Sequence, residues 1–186
     1  MAKNRLSRDL WLAAGFNALT EQGPVALKAE PLARRLGTTK GSFYWHFKDV
    51  PDFQSEMLEL WEARAFADID AARAAEDNPV KRLRAISDLA ARSASEDLGG
   101  VGAEPAMRAW ARENEAVAAA VARIDDKRLA YLTDLLTEVG LTNQDLSRMI
   151  YGALLGMQDL SARDGVDNTQ ALGTLVDLIL ALYEEE

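Results

Sequence analysis

The sequence predicts an all-α fold: an N-terminal three-helix helix-turn-helix head followed by a C-terminal helical bundle, about nine helices in total. Three observations carry that expectation. Apolar residues recur at helical spacing along most of the chain, with no alternating stretch to suggest a strand. Glycine, proline and short polar residues fall between those stretches. The segment Gly37 to Lys48 places small, hydroxylated and basic residues beside four aromatics.

Each element follows in order. Leu12, Phe16 and Leu19 fall at i, i+4 and i+7 between Ser7 and Gln22, widened by Leu10, Ala13 and Ala14, and Gly23 with Pro24 ends this first helix. Pro31 suits the first turn of a second helix, where its missing N–H costs nothing, and Leu32, Ala33 and Leu36 give that helix a buried face. Gly37 can adopt the left-handed conformation that turns the chain sharply. Thr38 or Thr39 can then cap a short third helix.

Asp49 begins a long amphipathic stretch to about Ala75, with Phe53, Met57, Leu60, Trp61 and Phe66 as its larger apolar residues, long enough to connect a head to a body. Asn78 and Pro79 restart a helix carrying Leu83, Ile86 and Leu89, which runs toward Gly99, Gly100 and Gly102. A short helix over 104–112 and a long one over 113–139 follow, the second stopped by Gly140. Thr142 and Asp145 resemble a capping box for a helix from 143 to about 162 bearing Leu146, Met149, Ile150, Ala153, Leu154 and Met157. After a turn at 164–168, a last helix carries Leu172, Leu175, Val176, Ile179, Leu182 and Tyr183.

Composition narrows the function. The chain has 186 residues, no cysteine and one histidine, which removes disulfides, a thiol nucleophile and thiolate or histidine-rich metal sites. No signal-peptide core and no apolar run of about 18 residues is present, so a cytoplasmic protein with no membrane partner is expected. The net charge of −9 is unevenly spread. Residues 1–48 carry eight Lys or Arg against three Asp or Glu, a net +5, and residues 49–186 carry −14. That polarity suits a nucleic-acid-binding head on an acidic body.

In a helix-turn-helix the second helix enters the major groove with its N-terminal residues at the base edges. Here those are Thr39, Lys40, Gly41 and Ser42; Lys40 can donate to guanine, and Ser42 can bond several bases. Tyr44, His46 and Lys48 lie where a phenol, an imidazole and an ammonium grip phosphates. Phe43 and Phe47 read as core, and Trp45 is open between core and DNA. Lys3, Arg5 and Arg8 form either a phosphate-binding arm or a solvated tail. His46 has only Ser42 at one helical turn and no third group to orient it, so no enzyme and no cofactor is expected. Asp125, Asp126 and Asp134 read as a solvated helix face.

From about Leu10 to Phe53, and above all in Leu32, Ala33, Gly37, Gly41, Ser42, Phe43, Tyr44, Trp45, His46 and Phe47, the sequence resembles the TetR family of bacterial transcriptional regulators. The resemblance implies a DNA-binding domain over 1–48 and a ligand-responsive helical domain over 49–186 that dimerises through its last two helices. Where such regulators commonly carry a lysine at the start of the fourth helix, this chain has Val50 followed by Pro51, so that phosphate contact is either missing or supplied by Lys48.

The dimer has an independent basis, because the last two helices are apolar on more than one face and so need a second partner. Tyr151, Gly152, Leu155 and Gly156 on one, with Leu175, Leu178, Ile179 and Leu182 on the other, are the expected interface of a homodimer. A two-fold dimer predicts a palindromic double-stranded operator. Trp61, Phe66, Met107, Trp110, Tyr131 and Met157, with Arg108 and Gln158 as polar contacts, are candidates for a small-molecule effector pocket, ordinary core packing being the alternative. The resulting expectation is a repressor released by a small molecule that tilts the fourth helix. The competing reading is a helical protein-interaction adaptor without DNA binding.

Overall fold

The computed structural model describes residues 6–86 and 98–183, and these form nine α-helices with no strand. The boundaries follow local chemistry. Ser7 caps α1 (Arg8–Gln22), its Oγ accepting the Leu10 N–H at 3.3 Å. One turn of 3-10 helix over Pro24–Ala26, which the sequence pattern did not suggest, leads to α2 (Ala29–Arg35). Gly37 then takes φ +62 and the Thr38 N–H bonds back to the Ala33 carbonyl at 2.9 Å, so the chain reverses into α3 (Lys40–Tyr44).

Thr39 occupies the capping position of α3, but its side chain makes no capping bond. The expected hydroxyl cap is absent, and the turn closes through the backbone instead, with the Ser42 N–H on the Thr39 carbonyl at 2.9 Å. The helix is also shorter than the motif: Trp45 to Lys48 leave it before Asp49 caps α4 (Val50–Ala74) by accepting the Asp52 N–H at 2.8 Å.

Asn78 caps α5 (Pro79–Arg84), and the expected continuation through Leu89 lies outside the described residues. A turn at Gly100–Gly102 opens α6 (Ala103–Trp110), and Asn114 caps α7 (Glu115–Glu138). The capping box expected from Thr142 and Asp145 does not form. Asn143 takes that place, its Oδ1 accepting the Asp145 N–H at 3.0 Å at the start of α8 (Asp145–Asp164). The last helix is α9 (Thr169–Tyr183).

Two apolar cores divide the molecule. The first packs α1, α2, α3 and the first half of α4, through residues such as Trp11, Phe16, Leu32, Phe43, Phe47, Phe53 and Met57, and continues into Met107 and Trp110 of α6 and Val117 to Ile124 of α7. The second gathers Ile69 of α4, Leu83 of α5, Tyr131 to Leu136 of α7, Ile150 of α8 and Val176 of α9. Helices α4 and α7 therefore run through both. Ion pairs Glu62–Arg123, Asp70–Lys127 and Arg73–Asp134 fasten one to the other along their exposed flanks.

Candidate nucleic-acid interface

The reading segment is shaped by which of its aromatics are buried. Phe43 and Phe47 are fully enclosed, with ring centres 5.1 Å apart, and both meet Phe53 of α4 edge-on, as Phe43 meets Trp11 of α1 at 5.4 Å. Such contacts fix the helix because aromatic pairs at these separations have a preferred geometry as well as large buried area. With that side anchored, the opposite side is turned outward. Thr39, Lys40, Gly41, Tyr44, Trp45 and Lys48 are exposed, and Ser42 and His46 are half-buried.

Trp45 is not a core residue: its indole is 84% exposed. Tyr44 lies beside it, with the Lys40 Nζ 5.9 Å from its ring centre. His46 leans toward Trp11, ring centres 6.5 Å apart. Gly41 has no steric reason of its own to be glycine, since a Cβ there would meet only the Thr39 Oγ1 at an ordinary 3.7 Å. Gly15 is the contrast, because a Cβ there would collide with Phe53 and Met57.

The other basic residues of the head are distributed differently from the sequence expectation. Arg35 pairs with Glu21, Arg34 with Glu30, and Arg8 with Glu56 of α4. Arg8 is thus committed to a carboxylate, and its pairing raises the guanidinium pKa above the ordinary value; Lys3 and Arg5 lie outside the described residues. Lys40 and Lys48 make no ion pair among the described residues. Val50 fills the first turn of α4 and packs against the first core.

The body holds a feature that the sequence reading missed. Arg108 of α6 donates to Glu104 one turn back and, with two nitrogens, to Asp125 of α7, and it also reaches the Tyr151 hydroxyl of α8 at 2.9 Å. Arg128 reaches the same hydroxyl at 3.2 Å and Glu104 at 3.1 Å, while Tyr151 donates to Asp125 at 2.6 Å. Two positive and two negative side chains plus one phenol therefore form a balanced polar seam between the two apolar cores.

Burial sets the electrostatics of the seam. It opposes the charged form of Asp125, but bonds from Arg108 and Tyr151 outweigh it and hold the carboxyl below its ordinary value. Burial would likewise lower both guanidinium pKa values, and the neighbouring carboxylates raise them instead. The Tyr151 phenol is pushed up to about 12, chiefly by burial, and stays neutral. Asp125 is accordingly not part of a solvated face, whereas Asp126 is exposed and Asp134 is paired with Arg73.

The residues expected to meet a ligand are divided between the two cores. Trp61, Met107 and Trp110 are buried in the first with Phe66 against it; Tyr131 is buried in the second with Met157 against it. Arg108 belongs to the seam, and the Gln158 Oε1 is enclosed without a hydrogen-bond partner. The interface residues also divide. Tyr151 and Ile179 point into the protomer and are removed from the expected outer face, because a phenol bonded to three charged partners and an isoleucine in the second core are already covered. Gly152, Gly156 and Leu178 face outward with Met149 and Leu160, Leu155 and Leu175 are partly buried, and the Leu182 side chain lies outside the described residues.

The sequence pattern of bacterial regulatory proteins of the tetR family matches residues 12–49. The HTH-type transcriptional regulator AcrR of Shigella flexneri is 35% identical over 57 residues, a match covering 31% of this chain and 26% of the relative's length. Among solved structures, a transcriptional regulator from Rhodococcus sp. Rha1 superposes with TM-score 0.76 at 16% identity, covering 95% of this chain and 97% of that one. A TetR transcription regulator from Haloarcula marismortui (TM-score 0.71, 16% identity, 91% and 94% covered) and the fatty acid degradation regulator FadR of Bacillus halodurans (0.70, 16%, 94% and 96%) share the same fold. The segment over residues 12–49 thus resembles the tetR family in sequence, and the whole chain shares its helical architecture with these solved structures.

Proposed function

We propose that this protein is a cytoplasmic, sequence-specific transcriptional regulator that binds a palindromic double-stranded operator as a homodimer. The carrying observation is the sidedness of the reading segment: Phe43 and Phe47 are anchored inside while Thr39, Lys40, Gly41, Tyr44, Trp45 and Lys48 share the outside. A tryptophan 84% exposed is costly to display on water alone, and with a bare glycine and two lysines beside it the surface suits a groove and its phosphates. Residues 1–48 act as the reading unit and 49–186 as the responding and pairing unit. The outer face of α8 and α9, with Met149 58% and Leu178 60% exposed around Gly152 and Gly156, supports pairing of two copies.

The regulator acts as a repressor released when a small molecule binds the body. The polar seam gives that reading a physical basis, since a ligand with different affinity for two arrangements of α6, α7 and α8 shifts their populations. The ion pairs from α7 would carry the shift to α4. Selection of a duplex from a random-sequence pool tests the reading. The protein should enrich a two-fold symmetric sequence; Lys40→Ala should alter the preferred bases, and Lys48→Ala should weaken all duplexes alike. Failure of the wild-type protein to enrich any sequence at moderate salt would overturn it.

A further inference from the structure

Arg8 opens α1 where the head meets α4. Its Nε and Nη2 donate to the two carboxylate oxygens of Glu56, and the guanidinium lies 5.1 Å from the ring centre of Phe47, the last aromatic of the reading segment. One turn before Glu56, the Asp52 carboxylate accepts the Lys48 N–H at 2.9 Å. Helix α1, the end of the reading segment and the start of α4 are thereby tied at one place.

This tie matters because α3 has only five residues. A helix so short cannot hold its own direction, so beside the burial of Phe43 its aim depends on what grips its two ends. Upstream, the Thr38 N–H on the Ala33 carbonyl grips the turn. Downstream, the grip is Phe47 under Arg8 and Lys48 on Asp52. Arg8 has a second effect, since Glu56 would otherwise present an uncompensated negative charge beside residues that approach phosphate.

We propose that Arg8 is a positioning residue for DNA reading: by gripping Glu56 with two nitrogens over the face of Phe47, it fixes the direction in which α3 leaves the head. It does not touch DNA. The inference rests on the DNA-binding reading above, and the test separates the two. Binding is measured by anisotropy on the duplex that the wild-type protein selects from a random pool, across a salt series, with melting temperatures recorded for every variant.

Arg8→Ala and Arg8→Lys should each weaken binding about tenfold with little change in melting temperature or salt slope, because lysine keeps the charge but not the fork. Glu56→Gln should weaken binding in the same way. The exchange Arg8→Glu with Glu56→Arg should recover most of the loss caused by Arg8→Glu alone. The proposal is overturned if Arg8→Lys binds like the wild type, if Glu56→Gln tightens binding and steepens the salt slope, or if the exchange gives no recovery. Wild-type protein that selects no duplex overturns the DNA-binding reading, and the positioning role with it.

Discussion

Tyr151 shows how much one side chain can do at the residue scale. Its hydroxyl serves both arginines and Asp125, so Tyr151→Phe leaves buried donors and a carboxylate short of a partner. The loss should be about 1–3 kcal/mol of unfolding free energy in urea titration. Asp125 gives the pH dependence. Its folded-state pKa is depressed, so its contribution is fully present above the unfolded carboxylate value of about 3.9 and is lost as pH falls through the lower folded value. Asp125→Asn should therefore lower stability at neutral pH and flatten the acid limb of a stability–pH curve. None of this was visible beforehand, because Arg108 and Glu104 advertise only an i, i+4 pair and the sequence does not say which carboxylates face inward.

Helix boundaries were the most legible feature of the elements, and the reason is local. Ser7, Asp49 and Asn78 bond to N–H groups within three residues of themselves, so their chemistry can be read without knowing the rest of the fold, whereas Asn114, which caps α7, lies inside the helix expected from 113. Where competing polar residues stand side by side the sequence is less decisive, as with Asn143 displacing Thr142 and with the bare hydroxyl of Thr39. Asp49→Ala should cost about 1 kcal/mol of stability, read by thermal unfolding, through the lost cap on α4. Gly37→Ala should cost about 1–2 kcal/mol, because φ +62 forces a Cβ into the left-handed region, and DNA binding should weaken as α3 loses its approach angle. Long-range ties such as Arg8 to Glu56 had no local signature, and the terminal basic cluster read equally well as an arm or a tail.

Across the whole molecule, the charge split between head and body and the all-helical architecture were legible, while the placement of the cores was not. Helix α6 and the first half of α7 share a core with α1 to α4, so the N-terminal helices rest on the body through packed side chains as well as through α4. On the outer face of α8 and α9, Gly152, Gly156 and Leu178 are exposed, whereas Tyr151 and Ile179 are buried within the chain. Leu178→Glu should convert a dimer to a monomer in light scattering and weaken operator binding with it, because two heads on one duplex act at high effective concentration. The most direct measurement is the affinity of the wild-type protein for its selected duplex between 50 and 200 mM salt. A straight log–log fall is expected, with a slope corresponding to about two or more neutralised phosphates, Lys48 from each of two heads, and a shallower slope for Lys48→Ala. A flat salt dependence, or an unchanged slope when Lys48 is removed, would contradict it.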